Sequence, residues 1–180
     1  DLVLYTDSLI PPAILHGVPT RAKIIPAADK HLDELLQILV SAARLHRTVI
    51  RLHDGDPSLY GAIQEQMQGL LEAGIDFEII PGISAYQLAA AKLRVELTRP
   101  KTLQTIILTR ISGRTEVPES QDLATLAATR SSLCLYLSAK HLTSAQAKLL
   151  QHYPPETPVA ICFHLGWPDE RIILTPLQSL

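Results

Sequence analysis

The spacing of hydrophobic residues along the first half of the chain alternates between two periods. Short apolar runs are typical of strands, and apolar residues three or four positions apart are typical of amphipathic helices. This pattern predicts strands over 2–5, 23–26, 47–52 and 76–80, and helices over 31–45, 59–73 and 84–93. Gly74 follows the second of these helices as a C-terminal cap. Because strands and helices alternate, we expect a parallel sheet flanked by helices.

The second half of the chain contains strands and helices of its own. We predict strands over 104–109, 132–137, 158–164 and 171–174, helices over 121–128 and 144–152, and a turn over 166–169. Pro100 stands between the halves as a candidate hinge. We therefore expect an α/β protein of two lobes with a cleft between them. Residues 1–99 would form an N-terminal lobe around the parallel, helix-flanked sheet, and residues 100–180 a C-terminal lobe with a mixed sheet and helices.

Both ends of the chain fall inside predicted elements. The first residues, Asp1 to Tyr5, already form a predicted strand without a preceding Met. The last ones, Thr175 to Leu180, stop where a helix would begin. We therefore expect the chain to be trimmed at both ends from a longer protein.

The composition favours a folded protein and counts against two classes of partner. Of the 180 residues, 47% are hydrophobic and 19% are charged, which supplies enough apolar surface for a core. Only 4% are aromatic, and 16 Lys and Arg against 18 Asp and Glu give a net charge of −2, so no nucleic-acid partner is expected. No apolar run approaches the ~20 residues of a membrane span and no signal peptide opens the chain. We expect a cytoplasmic protein without a membrane partner.

Residues that often carry chemistry are scattered along the chain. Cys134 and Cys162 lie in apolar runs, which favours buried thiols over a disulfide, a metal pair or a nucleophile. The seven histidines show no metal-ligand spacing, so no metal is expected. His53 and His164 stand at the ends of predicted strands, where one of them could contact a substrate. The P-loop, the Gly-x-Ser-x-Gly elbow and the Gly-x-Gly-x-x-Gly fingerprint are absent, which counts against an NTPase, a hydrolase and a nicotinamide enzyme.

The first candidate site follows the third predicted strand and has the sequence LHDGDPSLYG. Ligands of open α/β sheets bind beyond the carboxyl ends of the strands, where this loop would lie. Gly55 permits close approach of the backbone. Asp54 and Asp56 are interpreted first as helix caps. In the alternative interpretation, the two carboxylates hold a cation or accept hydrogen bonds from a ribose or an α-amino group.

Two further segments follow predicted strands. In Ile80-Pro-Gly-Ile-Ser-Ala85 the chain turns and Ser84 caps the next helix, so the segment is either an ordinary turn or a second ligand-facing loop beside the first. Arg110 and Arg114 flank a glycine after a strand, a pattern that suits recognition of carboxylates or phosphates. Solvated surface arginines are the more common explanation of such a pair.

Taken in order, these segments resemble the tetrapyrrole methylase family over essentially all 180 residues. The resemblance is carried by the strings LHDGDPSLYGAIQEQM, IIPGISAYQLAAA, LTRISGRTEVPE and HLGWPDERI. The third string points to the branch that methylates precorrin-4 or cobalt-precorrin-4 in cobalamin biosynthesis. Membership implies an α/β fold of two lobes, a homodimer, S-adenosylmethionine as the methyl donor, and methyl transfer to a ring carbon of the tetrapyrrole by positioning, without a catalytic side chain.

The resemblance also implies which residues bind the two substrates. The positions that match the S-adenosylmethionine contacts of the family are Asp54, Gly55, Asp56, Leu59, Ser84, Ala85, Leu137, Leu165 and Gly166. For the tetrapyrrole, whose periphery carries carboxylates, we expect contacts from Arg110, Arg114 and Tyr60.

One departure from the family leaves alternatives open. The Gly-rich loop with which the family begins has no counterpart in this sequence, and a C-terminal helix and strand also lack one. The activity of this chain is therefore a separate question. Methylation of another position of the ring, of a modified histidine or of ribosomal RNA is a second hypothesis. A non-catalytic α/β module that binds a small molecule or a nucleotide is a third.

Overall fold

The structure, a computed structural model, describes residues 1–45, 48–112 and 116–180. Strands and helices alternate in the order β1 (Leu2–Tyr5), β2 (Lys23–Pro26), α1 (Leu32–Arg44), β3 (Val49–Leu52), α2 (Ile63–Glu72), α3 (Ala85–Leu93), β4 (Ile106–Arg110), α4 (Leu123–Ala127), β5 (Ser132–Tyr136), α5 (Leu142–Leu149), β6 (Pro158–Phe163) and β7 (Arg171–Pro176). None of the described helices is long and apolar enough to span a bilayer.

The chain divides into two compact units, Asp1–Gln87 and Leu88–Leu180. The division falls within α3, twelve residues before the end of the expected N-terminal lobe at residue 99. The first unit holds the predicted parallel sheet, in the order β2-β1-β3. Leu2 and Leu4 of the central strand pack against Leu35 and Leu39 of α1, which places the core between the sheet and that helix.

The helix α2 begins four residues later than the spacing of its apolar residues predicts. Tyr60 and Ala62 have φ angles of 58° and 48°, so the backbone before Ile63 is not helical. The end of α2 confirms the prediction. Gly74 has a φ of 68° and donates to the carbonyl of Leu71 at 3.0 Å, which is the geometry of a glycine C-cap.

The predicted strand over 76–80 is wrong, because these residues pair with no strand in the described part of the chain. Phe77, Ile79 and Ile80 are all exposed, so the hydrophobic pattern that suggested a buried strand does not reflect burial here. A strand is defined by hydrogen bonds to a neighbour, which a local pattern does not specify.

The second unit has its own core and two small sheets. The strands β4 and β5 form a parallel pair and β6 and β7 an antiparallel pair, so the mixed pairing that we predicted is divided between two sheets. The core is built mainly by the two helices α4 and α5, with buried residues Leu123, Ala127, Ala145 and Leu149. Both cysteines are free and half-buried, and burial raises the pKa of each thiol.

Candidate functional site

The loop after β3 is a tight turn held by its second aspartate. Gly55 has a φ of 62°, which a residue without a side chain adopts at no steric cost. Oδ1 of Asp56 accepts hydrogen bonds from the main-chain N–H of Ser58, at 2.9 Å, and from the Ser58 hydroxyl. Asp54 is exposed and takes part in no hydrogen bond within the described residues. The two aspartates therefore have different roles.

The same aspartate joins this turn to the Pro-Gly-Ile-Ser turn. Oδ2 of Asp56 accepts from the main-chain N–H of Gly82 at 3.0 Å. A Cβ on Gly82 would lie 2.2 Å from the carbonyl oxygen of Gly55, and one on Gly55 would lie 3.5 Å from the Cα of Ser84. The two turns thus pack backbone against backbone, at a distance that only glycine permits. The hydrogen bonds from Ser58 and from Gly82 lower the pKa of Asp56.

The second turn leads directly into α3. The hydroxyl-bearing residue Ser84 is buried, and its main-chain N–H donates to Oε1 of Gln87 at 2.9 Å, which is half of a capping box. Ala85, the first residue of α3, is exposed, and the side chain of Ile83 is 71% exposed. The turn therefore presents Ala85, the exposed Gly82 and the large apolar residue Ile83 at its surface, next to the exposed Gly55.

Leu59 and Tyr60 follow the first turn. The N–H of Leu59 donates to the Asp56 carbonyl at 3.1 Å, and the side chain is half-buried. Tyr60 has the left-handed backbone noted above and is 41% exposed. It lines a cavity of about 370 Å³ together with Pro57 and Met67. A left-handed tyrosine is unfavourable, and such strain is concentrated at functional sites.

Arg51 organises the strand ends below the first turn, a role that sequence reasoning missed. Its guanidinium donates to the main-chain oxygens of Leu4, at 3.3 Å, and Leu52, at 2.9 Å. It also donates to the Thr6 hydroxyl at 3.0 Å and to the Gln66 side chain at 3.3 Å. One side chain thus ties the carboxyl ends of β1 and β3 to α2. Its position inside an apolar strand is a cue in the sequence, although its partners are not.

His53 lies between Arg51 and the first turn. Burial of the half-exposed ring, and to a lesser extent the charge of Arg51, lower the pKa of His53 to about 4 against the opposing charge of Asp54. The ring is therefore neutral near pH 7. It offers one donor and one acceptor rather than a positive charge.

In the second unit, two predicted site residues follow adjacent strands. Arg110 ends β4 and is paired in register with Tyr136 of β5, directly before Leu137. The guanidinium of Arg110 donates to the Glu116 carbonyl at 3.0 Å. Leu137 has a φ of 53° and is 70% exposed, an unusual state for a leucine. The predicted partner Arg114 lies outside the described residues.

The turn after β6 is held by a carboxylate. Gly166 has a φ of 82°, and its N–H donates to Oε2 of Glu170 at 2.7 Å. The other oxygen of Glu170 pairs with Lys92 of α3 at 3.0 Å, and the bond from Gly166 is the main reason that the pKa of Glu170 is lowered. Leu165 precedes this glycine and is half-buried. His164 pairs with Asp169 at 2.9 Å.

The structure brings together one group of the predicted residues in each unit. In the first unit these are Asp54, Gly55, Asp56, Ser84 and Ala85, with Leu59 and Tyr60 next in the chain. In the second unit Arg110 and Leu137 lie at the same end of the β4–β5 pair, while Leu165 and Gly166 occupy their own turn. The expected convergence of the Asp-Gly-Asp and Pro-Gly-Ile-Ser turns is thus observed.

Comparison with known proteins identifies the family of this chain. A family model of the tetrapyrrole (corrin/porphyrin) methylases matches residues 1–180. The chain belongs to the tetrapyrrole methylase family.

Several relatives that cover nearly the whole chain are named as precorrin-4 or cobalt-precorrin-4 methyltransferases. The chain is 40% identical over 181 residues to the cobalt-precorrin-4 C(11)-methyltransferase of Methanocaldococcus jannaschii, covering all of this chain and 70% of that protein. It is 42% identical over 179 residues to the precorrin-4 C(11)-methyltransferase of Pseudomonas aeruginosa, covering 99% of this chain and 71% of that protein. A solved cobalt precorrin-4 methyltransferase has a TM-score of 0.95 at 37% identity, covering 99% of this chain and 75% of that one.

Proposed function

We propose that this chain is an S-adenosylmethionine-dependent C-methyltransferase that methylates a ring carbon of precorrin-4 or cobalt-precorrin-4 in cobalamin biosynthesis. The observation that carries the proposal is the likeness over at least 99% of the chain to methyltransferases of that name, at about 40% identity. The names of those relatives place the methyl group at C(11), and we extend that position to this chain.

The surface formed by the two interlocked turns fits the methyl donor. Gly55, Gly82 and Ala85 are exposed and carry little or no side chain, so a flat adenosine can approach their main chain closely, while the N–H of Gly82 stays bonded to Asp56. Asp54 adds an exposed carboxylate that can accept from a ribose hydroxyl or an amino group. Leu59, Ser84, Leu137, Leu165 and Gly166 complete the proposed set of contacts, as the resemblance to the family implies.

Within this proposal Asp54 and Asp56 have different roles. Asp54 accepts hydrogen bonds from the ligand, and its negative charge favours the cationic sulfonium over the neutral thioether product. Asp56 holds the two turns at the distance that the ligand requires, because both of its oxygens are already engaged by Ser58 and Gly82. Asp56 is therefore a positioning residue rather than a contact.

The chemistry needs no strong base from the chain. The sulfonium of S-adenosylmethionine supplies a methyl group that is already electrophilic, and an electron-rich ring carbon is already nucleophilic. The residues of the chain have to align the two and exclude water. Well-oriented reactants gain on the order of 7–11 kcal/mol from positioning alone, which is consistent with a site without a catalytic side chain.

We further propose that Arg110, Arg114 and Tyr60 bind the tetrapyrrole. Its peripheral carboxylates are matched by guanidinium groups. The chain as a whole carries a net charge of −2, so local cations have to attract this anionic substrate.

A cytoplasmic homodimer built from lobes 1–99 and 100–180 is the assembly that the family resemblance favours, and sedimentation at several concentrations tests the dimer.

The experiment that tests this function is a methyl-transfer assay read by mass spectrometry. The chain is incubated with S-adenosylmethionine and either precorrin-4 or its cobalt complex, and we expect a gain of about 14 mass units, one CH₂ unit, in one of the two. A ring methylated at a carbon other than C(11) would support the second hypothesis. Binding of S-adenosylmethionine with no mass gain in either substrate would support a non-catalytic module.

A further inference from the structure

A polar cavity lies at the opposite end of the β4–β5 pair from Arg110 and Leu137. Its volume is about 310 Å³, at the lower end of the range for small-molecule sites. It is lined by the segment 101–105, which precedes β4, and by 129–131, which precedes β5. Because the two strands are parallel, both segments lie at their amino ends. The cavity is therefore separate from the residues assigned above to the substrates.

The lining of this cavity is cationic. Lys101 and Arg130 are both exposed, and neither forms an ion pair with a residue in the described ranges. None of the lining residues is an aspartate or a glutamate. Thr102, Gln104 and Thr129 add hydroxyl and amide groups to the same wall. Two positive charges thus stand beside neutral polar groups, without a carboxylate among the lining residues to balance their charge.

Hydrogen bonds fix the wall of the cavity. The hydroxyls of Thr129 and Ser131 are 2.9 Å apart, and the Tyr153 hydroxyl donates to the main-chain oxygen of Ser131 at 2.6 Å. On the other side, the side-chain amide of Gln104 donates to the Arg99 carbonyl at 2.8 Å. The hydroxyls of Thr102 and Thr129 donate to the carbonyls of Arg99 and Leu126, so the wall is held in place before any ligand arrives and the two cations are left as the main donors.

Both cations sit on left-handed backbone. Lys101 has a φ of 66° and Arg130 a φ of 51°, which are conformations that glycine adopts more readily than any residue with a Cβ. Each segment thus places a long cationic side chain at a position where glycine would be the easier choice. Residues retained in unfavourable backbone conformations are concentrated at ligand sites.

We propose that this cavity binds a small anion that carries a phosphate or diphosphate group. A tetrahedral phosphate accepts hydrogen bonds from several directions, which suits donors supplied by two separate segments. A planar carboxylate, by contrast, would be matched by a single arginine whose guanidinium group lies in the plane of the carboxylate. The proposal does not rest on the methyltransferase activity, because its ligand and its residues are different.

Calorimetric titration with inorganic phosphate and with diphosphate, at low ionic strength, tests the site. Wild-type protein is expected to bind at least one of them saturably, with a dissociation constant on the order of 1 mM or below. The variants Arg130→Gly and Lys101→Gly remove one cation each and relieve the left-handed strain, so both fold. Each should bind about tenfold more weakly than the wild type.

Arg94→Gly is the matched control. Arg94 also follows a helix, is exposed and has a φ of 56°, but it does not line the cavity. Its replacement should leave the affinity for diphosphate unchanged. The proposal is overturned if the wild type binds neither anion at concentrations on the order of 10 mM, if the two cavity variants bind as the wild type does, or if Arg94→Gly weakens binding equally. Citrate binding as tightly as diphosphate would overturn the choice of phosphate.

Discussion

Asp54 and Asp56, which are separated only by Gly55, have different roles in this protein, and that difference can be measured. Both carboxylate oxygens of Asp56 accept hydrogen bonds from the two turns. Asp54, in contrast, is exposed and makes no hydrogen bond within the described ranges. From the sequence alone the pair had two interpretations, helix caps or ligand acceptors. The helix-cap interpretation is wrong, because α2 begins at Ile63 after Ala62 and has no side-chain cap. Asp56 instead joins the two turns, and Asp54 remains the candidate acceptor.

We predict opposite effects for the two amide variants. Asp54→Asn should weaken the binding of S-adenosylmethionine about tenfold and change the thermal unfolding midpoint little, because that carboxylate is exposed and makes no hydrogen bond within the described ranges. Asp56→Asn should lower the unfolding midpoint, since its amide nitrogen would face an N–H donor of Ser58 or Gly82. Calorimetry and thermal unfolding measure the two effects. An unfolding midpoint for Asp56→Asn equal to that of the wild type would contradict the assignment.

His53 gives a prediction for the pH dependence of stability. Its pKa is about 4 in the folded protein against an ordinary value of 6.5, so the unfolded chain binds a proton first as the pH falls. The stabilising contribution is complete above pH 6.5 and is lost as the pH falls towards 4. The loss should be about 1–2 kcal/mol, because the half-exposed ring keeps part of its hydration.

Urea unfolding of the wild type and of His53→Gln, at a series of pH values, isolates this contribution. Carboxylates with lowered pKa values, such as Asp56 and Glu170, also lose stability in acid, but they are present in both proteins and cancel in the difference. We expect the stability difference between the two proteins to shrink as the pH falls from 6.5 to 4. A difference independent of pH would show that the ring titrates normally.

At the scale of elements, the contact between the two turns is limited by Gly82. An added Cβ would lie 2.2 Å from the Gly55 carbonyl oxygen, so Gly82→Ala has to push the turns apart. We expect S-adenosylmethionine affinity to fall by at least about tenfold. The control is Gly17→Ala, where nothing lies within 4 Å of the added atom and φ is not positive. Calorimetric affinity equal in both variants would mean that the spacing of the turns is irrelevant.

The elements also show where a local pattern succeeds and where it fails. The strand β1 and the helix α1 were predicted because burial follows the apolar period there, and the end of α2 because a left-handed cap favours glycine. The start of α2 was predicted too early, because a left-handed residue such as Ala62 leaves no mark on the apolar spacing. Residues 76–80 have a strand-like pattern but pair with no strand in the part of the chain that the structure describes.

The candidate site residues were also predicted where a local signal exists and missed where the contacts are distant in sequence. The turns at Gly55 and Gly82 were identified from their glycines and from the resemblance to the family, because a backbone contact of this kind demands those residues. Arg51 was missed. Its partners, Thr6 and Gln66, are 45 and 15 residues away in the sequence, and no local rule joins them. A long-range polar network requires the fold before it can be recognised.

For the whole molecule, the class of fold was accessible because the alternation of strand and helix is a property of the entire chain. The parallel pairing within the first unit and the α/β class agree with the prediction, and the likeness to a solved cobalt precorrin-4 methyltransferase, with a TM-score of 0.95, agrees with both. The pairing within the second unit was not accessible, since the partner of each strand depends on contacts distant in sequence.

Backbone amide NMR during a titration with S-adenosylmethionine tests the central claim most directly. We expect the amides of Gly55, Gly82 and Ala85 to shift together and to saturate at one ligand concentration, while that of Gly17, far along the chain from both turns, stays in place. Shifts confined to other residues, with these three amides unmoved at saturation, would contradict the proposal that the interlocked turns hold the methyl donor.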